Sequence, residues 1–301
     1  MVGMDDLALH RRRGLLDAGF TDAELRQLRK TGELTMIRRG NYLAGPEPDD
    51  DADRHRLLVG ASLGELAHGA VLSHASAAVM HGLPVWGMPL DRVSVTRDRR
   101  SGARRSARVH MHAAPLGPDD LCEMDGFSTT SIARTVLDVA RSAPFEAAIV
   151  TGDAAVRLIT STELASALAE ASRRPGCARA RRAVGFMNGL SESVGESRSR
   201  VAIALAGLPP PVPQWEVRSP SGRFIGRTDF AWPEHGVLGE FDGKVKYGRL
   251  LGPGQAASEI VYREKLREDE LRAEGFTMVR WTWQDLAAFA PVAARLRRAL
   301  G

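Results

Sequence analysis

From Gly226 to Lys244 the chain reads Gly-Arg-Thr-Asp-Phe-Ala-Trp-Pro-Glu-His-Gly-Val-Leu-Gly-Glu-Phe-Asp-Gly-Lys. Apolar residues alternate on both sides of Pro233-Glu234-His235-Gly236, which predicts two strands joined by a tight turn. A turn centred between Glu234 and His235 sets Asp229 directly opposite Glu240 in antiparallel register. Side chains alternate faces along a strand, so Asp242 shares a face with Glu240 while Phe230 and Phe241 lie on the other. Like charges opposite one another destabilise a sheet. A fold that gathers three carboxylates usually offsets them with a divalent cation or a shared proton. The pattern therefore predicts metal-assisted chemistry. The competing reading is an acidic hairpin edge that faces solvent above a buried aromatic face. Against it, the acids are short and clustered rather than interspersed with lysines. A one-residue slip in register would send one of them to the other face.

At 301 residues and 32.6 kDa the chain is long enough for two or three compact units. Its 44% hydrophobic and 26% charged residues are those of an ordinary globular chain, not a disordered or fibrous one. Net charge is only +4, but arginines gather in runs: Arg11-Arg12-Arg13, Arg38-Arg39, Arg99-Arg100, Arg104-Arg105, Arg173-Arg174 and Arg181-Arg182. Arginine forks match phosphate geometry, so the runs fit a polyanionic partner. A coding bias towards GC would produce them as well. Cys122 and Cys177 are the only cysteines, and neither has a Cys-x-x-Cys companion, which argues against a zinc site or a disulfide framework. No long apolar run occurs and the first residues are charged, so neither a membrane span nor a secretion signal is expected, and the expected compartment is the cytoplasm.

Residues 1–46 read as one small unit. Asp5 to Leu16 has helical spacing of Leu7, Leu15 and Leu16. Thr21-Asp-Ala-Glu24 is a capping box that opens a second helix carrying Leu25 and Leu28, and Gly32 stops it. Glu33 to Ala44 alternates and turns at Gly40-Asn41, the pattern of a wing. Together these describe a winged helix-turn-helix, whose later helix enters the DNA major groove while the wing touches phosphates. Arg26, Gln27 and Lys30 are the groove-facing candidates, and Arg38 and Arg39 the wing candidates. A small helical protein-interaction module is the alternative.

An acidic linker, Glu47 to Asp53, leads into residues 54–150. A helix from Arg54 to Ala67, strands at Arg92–Thr96 and Ala107–His112, and an N-capped helix over Thr129–Asp138 predict a mixed α/β domain. His74, His81, His110 and His112 fit no standard zinc spacing and read as structural or surface residues. Three segments then carry a resemblance: Arg38-Arg-Gly-Asn-Tyr42, Leu72-Ser-His-Ala-Ser-Ala77 with His81-Gly82-Leu83, and Thr129-Thr-Ser-Ile-Ala-Arg-Thr-Val-Leu-Asp138. In that order the first half of the chain resembles the AbiEi family of type IV antitoxins. The resemblance implies an N-terminal winged helix, an α/β antitoxin domain, repression of the protein's own operon, and a nucleotidyltransferase toxin as partner.

Residues 151–189 read as an exposed helical connection with no assignable chemistry. Beyond them a helix through Ala206 precedes strands at Gln214–Arg218, Phe224–Ala231 and Val237–Val245. A polar helix at Ser258–Glu274, a strand at Phe276–Thr282 and a terminal helix from Gln284 complete an α-β-β-β-α-β-α order, an α/β sandwich. Ser191-Glu-Ser-Val-Gly-Glu-Ser-Arg198, Arg227-Thr-Asp229, Glu240-Phe-Asp-Gly243, Arg263-Glu-Lys-Leu-Arg-Glu-Asp-Glu-Leu271 and Val279-Arg280-Trp281 together resemble the PD-(D/E)XK nuclease superfamily, in particular its very-short-patch-repair endonuclease-like branch. The resemblance covers residues 190–301.

It implies hydrolysis of DNA phosphodiesters with Mg²⁺, or alternatively Mn²⁺, as cofactor. Asp229 and Glu240 would hold the ion and Glu196 would complete the acidic shell through a water. The ion would lower the pKa of the attacking water and offset charge on the phosphate, with Arg263 and Arg280 holding phosphates. The superfamily's lysine belongs two residues after the strand acid, and Asp242 stands there. Lys244, one alternation further and about 7 Å along the strand, and Lys265 on the following helix are the substitutes; Asp242 is alternatively a further metal ligand. The expectation is thus an α/β multidomain DNA-binding protein with a metal-dependent endonuclease domain. Its rivals are a non-enzymatic antitoxin and autoregulator, and a nuclease-like domain acting on RNA.

Overall fold

The computed structural model describes residues 9–62, 66, 69–99, 101–243 and 257–301, with backbone only at 105 and 257–264. The chain divides into two compact units between Phe186 and Met187. Both are mixed α/β. Among the described residues no helix is long and apolar enough to cross a membrane.

The first unit begins with β1 (Leu9–Arg11), α1 (Arg12–Asp17), α2 (Asp22–Thr31), β2 (Leu34–Arg38) and β3 (Asn41–Ala44). The three strands form an antiparallel sheet in the order β1-β3-β2. The capping box of α2 is present: Glu24 N–H donates to Thr21 Oγ1 at 3.3 Å and Thr21 N–H donates to Glu24 Oε2 at 2.7 Å. Gly32, with φ 80°, ends the helix in the left-handed region. Leu25, Leu34 and Tyr42 bury together against Leu15, Leu16 and Leu28. Of the helix expected over Asp5–Leu16, residues 5–8 lie outside the described residues and the remainder is only partly helical. Leu9–Arg11 is a strand because the edge of β3 supplies its hydrogen-bond partners, and the helix starts only at Arg12.

There follow α3 (Asp51–Ser62), β4 (Ala70–Leu72), α4 (His74–Met80), β5 (Val93–Asp98), β6 (Arg104–Arg105), β7 (Val109–Ala114), β8 (Leu121–Met124) and β9 (Phe127–Thr130). The sheet order is β6-β7-β5-β4-β9-β8, with β5–β7 and β4–β9 parallel. Val59, Leu72, Met80, Val93, Val95 and Phe127 make its core. The helix expected from Thr129 starts three residues later. Thr129 and Thr130 belong to β9, and Ser131 caps α5 (Ile132–Ser142) by accepting from Arg134 N–H.

Then come α6 (Phe145–Ala155), α7 (Ser161–Glu170) and α8 (Cys177–Phe186). These helices are not an exposed connection. They pack on α5 and bury Ile149, Val150, Leu164, Ala180 and Ala183 within the first unit. Small residues on the inward faces let the helices approach closely, and the same alanine-rich composition hides the apolar periodicity.

The second unit contains α9 (Val194–Leu205), β10 (Val212–Arg218), β11 (Phe224–Trp232), β12 (Val237–Asp242), α10 (Ala257–Ala273), β13 (Thr277–Thr282), α11 (Trp283–Ala287) and α12 (Ala290–Leu300). Its sheet runs β10-β11-β12-β13, antiparallel except for the parallel β12–β13 pair. On one face Phe230, Trp232, Val237, Val279 and Trp281 meet Ile203 of α9 and Val292 and Leu296 of α12. On the other, Ala231, Leu238 and Met278 meet Leu271 of α10. The expected terminal helix is two helices, broken at Ala288–Phe289 ahead of Pro291, which cannot donate a helical hydrogen bond.

Candidate active site

The hairpin that the sequence predicts is present. A short 3₁₀ turn at Pro233–His235 and Gly236, with φ 62°, connect β11 to β12. The strands pair as Trp232–Val237, Ala231–Leu238 and Phe230–Gly239, the register that carries Asp229 opposite Glu240. The ladder ends there. Phe241 N–H donates to Asp229 Oδ2 at 2.7 Å, so the carboxylate stands in for a main-chain acceptor where the two strands part. Asp229 Oδ1 accepts no hydrogen bond among the described residues. Burial pushes the Asp229 carboxyl up to about 7; the Phe241 N–H opposes this, and the negative charges of Glu196, Glu240 and Glu192 add to it.

Alternation places the neighbours of this junction on different sides. Phe241 lies against Gly195 at the start of α9, where an added Cβ would come within 1.9 Å of the ring, and meets Trp283 edge-on at 4.8 Å. Glu240 turns the other way, towards α10. Its Oε1 accepts from Arg267 Nη2 at 2.6 Å and its Oε2 from Arg280 Nε at 2.9 Å. Arg280 is directly opposite Glu240 on the β12–β13 ladder and also donates to Glu268 at 2.7 Å. Gly226 clears the way for Arg267, whose Cδ would lie 3.1 Å from a Cβ at that position.

Glu196 arrives with α9. Ser193, the N-cap, accepts from Glu196 N–H at 3.2 Å and donates to Glu196 Oε1 at 2.7 Å, while Oε2 accepts from Glu192 N–H at 2.8 Å. These are helix-capping bonds, but the carboxylate takes its third donor from outside the helix: Gln214 Nε2 donates to Oε2 at 2.7 Å. Gln214 sits in β10 between the pairs Pro213–Phe230 and Trp215–Thr228, level with Asp229, and has φ 53°. A non-glycine residue in the left-handed region within a strand is strained.

The expected patch of Asp229, Glu240 and Asp242 is not gathered into a three-ligand site, and Glu196, expected to complete the shell through a water, approaches from a different element. Glu196 comes from the α9 side and Glu240 faces α10, with Asp229 at the strand junction. Among the described residues no three acidic, histidine or cysteine side chains are grouped to hold one metal ion. Hard oxygen donors suit Mg²⁺. Asp229 fits as such a donor by type, but its proton affinity is raised first by burial, which disfavours the bare carboxylate, and only then by the negative charges of Glu196, Glu240 and Glu192. Glu240 fits by type, but both its oxygens are engaged by arginines. Asp242 is half-buried beside Thr282 at the end of β12. Lys244 and the Arg263 side chain lie outside the described residues, and Lys265 is exposed on α10. Arg267 and Glu268 lie within the Arg263–Leu271 run that carries the resemblance, but neither they nor Gln214 has an assignable role in the sequence alone.

In the first unit Arg26, Gln27 and Lys30 are exposed along one side of α2, and Arg39 is exposed at the β2–β3 turn. Arg38 is not a wing residue. It is 6% exposed and donates to Ser62 of α3, because a register irregularity between Met36 and Arg38 turns it inward. The histidines are structural: His74 stacks on His112 with centroids 3.6 Å apart, and His110 lies 4.0 Å from His112. Nearby, Arg134 is clamped by Asp120 at 2.7 Å and Asp138 at 3.0 Å.

No family model matches the chain. The uncharacterized proteins Rv2248 and MT2308, from two strains of Mycobacterium tuberculosis, are each 28% identical to it over 254 residues, covering 83% of this chain and 86% of the relative. The crystal structure of the RV2827C protein from Mycobacterium tuberculosis is similar at 17% identity and a TM-score of 0.40, over 72% of this chain and 85% of that one.

Proposed function

We propose that the chain is a DNA-binding protein whose second unit hydrolyses phosphodiesters with Mg²⁺, as a PD-(D/E)XK-type nuclease. The observation that carries this reading is Asp229. It lies where β11 and β12 part, its carboxyl is raised to about 7, and it sits among the charges of Glu196 and Glu240. The α-β-β-β-α-β order of the second unit is in keeping with the element order on which the sequence resemblance rests. Asp229 would hold the ion, joined by Glu240 when its arginines release it. A bound Mg²⁺ supplies a water of lowered pKa and offsets charge on the phosphate. Glu196, fixed by three donors, keeps the field at the junction negative. Arg280 and Arg267 offer forks for phosphate oxygens. On the first unit, the exposed Arg26, Gln27, Lys30 and Arg39 suit a DNA groove and backbone, which is the winged-helix reading.

The test is cleavage of duplex, single-stranded and mismatched DNA, and of RNA, in Mg²⁺. Activity on DNA that disappears in Asp229→Ala and in Glu240→Ala supports the proposal; a wild-type protein inert on every substrate removes it.

The pairing of both Glu240 oxygens with arginines favours a second reading, in which the second unit binds without cutting and the whole chain is an AbiEi-like antitoxin and autoregulator. It requires salt-sensitive binding to the protein's own promoter, weakened by Arg39→Ala and Lys30→Ala and indifferent to Asp229→Ala, and a nucleotidyltransferase toxin as partner.

A further inference from the structure

The acidic stretch from Glu47 to Asp53 has no part in the function proposed above, yet it walls an open cleft of about 1150 Å³ in the first unit. The segment 82–91, which is neither helix nor strand, brings Val85, Trp86, Met88 and Leu90 to the same cleft. Both walls are held in place by the protein's own bonds. Arg54 Nη1 donates to the Pro48 and Asp49 carbonyls at 3.0 and 3.1 Å, and Asp50 Oδ1 accepts from the Ala52 and Asp53 N–H groups at 2.9 and 3.0 Å. On the other wall, His55 Nδ1 donates to the Leu90 carbonyl and Thr151 Oγ1 to the Pro84 carbonyl, each at 2.8 Å.

Six acidic side chains line the cleft against two arginines, and those two are already paired, Arg54 with Asp51 and Arg56 with Asp53. Glu47 and Asp49 are exposed, and their carboxylates have no partner among the described residues. The cleft is therefore negative in a chain whose net charge is +4, so it repels phosphate and attracts cations. Its volume exceeds the roughly 300–1,000 Å³ of a small-molecule pocket. Trp86, 36% exposed, offers a ring face that a guanidinium can cover. Acids on one wall and apolar side chains on the other suit a ligand whose successive side chains point in opposite directions, as in an extended strand.

We propose that this cleft docks an extended basic segment of a partner protein in which arginines alternate with apolar side chains. The arginines pair with Glu47 and Asp49 and cover Trp86, while the apolar side chains pack on Val85, Met88 and Leu90. Nothing in this depends on the hydrolytic reading.

Fluorescence anisotropy of a short labelled peptide alternating arginine and leucine, titrated with the full chain, tests it, and amide chemical shifts locate the contact. The expected result is saturable binding that moves the resonances of residues 47–53 and 82–91 and weakens with added salt. Glu47→Gln combined with Asp49→Asn removes exposed carboxylates that bond to nothing else, so the fold survives, and it should weaken binding about tenfold. Trp86→Ala should do the same through loss of an aromatic anchor. Glu216→Gln with Glu270→Gln, which takes equal charge from exposed ion pairs of the second unit, should leave the affinity unchanged. A peptide alternating arginine and serine should bind about tenfold more weakly, having lost its apolar contacts. Equal affinity for the two peptides, or equal affinity of the wild type and the Glu47 and Asp49 double variant, overturns the proposal and leaves only general charge attraction. Spermidine that displaces the peptide at equal concentration assigns the cleft to a small polycation. A wild-type dimer in sedimentation that the double variant loses assigns it to a second copy of the chain. Either result overturns the proposal, as does absence of peptide binding.

Discussion

Gln214 donates its carboxamide to Glu196 at 2.7 Å from a strand position whose φ is 53°. The backbone strain and the hydrogen bond belong together, since the left-handed turn of the chain aims the side chain at α9. Gln214→Gly relieves the strain and loses the bond, whereas Gln214→Ala loses the bond and keeps the strain. Urea unfolding should therefore find the glycine variant more stable than the alanine variant by about 1 kcal/mol. Equal stabilities would mean that position 214 is unstrained in solution.

Much of the second unit is legible in the sequence. The Trp232–Val237, Ala231–Leu238 and Phe230–Gly239 register of the hairpin follows from the turn and from alternation, both local properties. What cannot be read is where the ladder stops and which helix faces which strand residue. The paired ladder stops at Phe230–Gly239, one step short of Asp229 and Glu240, and the partners of Glu240 come from 27 and 40 residues further along the chain. Arg38 fails for the same reason: a single irregularity in β2 converts a wing arginine into a buried one, and nothing in Ile37-Arg38-Arg39 announces it. The short β1 strand depends wholly on the edge of β3.

Close packing at the start of α9 gives a second prediction. A methyl at position 195 would penetrate the Phe241 ring, which Trp283 braces from the side. Gly195→Ala should cost about 2 kcal/mol, and Phe241→Leu in the same chain should recover part of it. Strictly additive losses in the double variant would show that the two residues do not meet.

Asp229 makes stability depend on pH in an unusual direction. Its carboxyl is raised from the ordinary 3.8 to about 7 in the folded state, so between these values the folded chain holds a proton that the unfolded chain has released. Its contribution is present below 3.8 and lost as pH rises through 7. Asp229→Asn should remove that component, leaving a flatter profile of urea midpoint against pH between 4 and 7. An unchanged slope would place the Asp229 carboxyl near its ordinary value.

The histidine stack in the first unit works in the opposite sense. Burial, with neighbouring histidines and arginines, pushes His74 and His112 down to about 3. The unfolded state protonates near 6.5 while the folded state stays neutral, so their contribution is intact above 6.5 and declines as pH falls towards 3. Ring resonances of His74 and His112 should not titrate between pH 5 and 8, and His112→Gln should shallow the acid loss of stability. Titration of either ring near 6.5 would contradict the buried stack.

Nicking of supercoiled plasmid DNA, measured side by side for the wild-type chain and Asp229→Asn in Mg²⁺ and in EDTA, decides whether this unit is hydrolytic. Nicking should appear only for the wild type in Mg²⁺. Nicking that survives Asp229→Asn, or a well-folded wild type that never nicks, would contradict a cation-dependent centre at the β11–β12 junction.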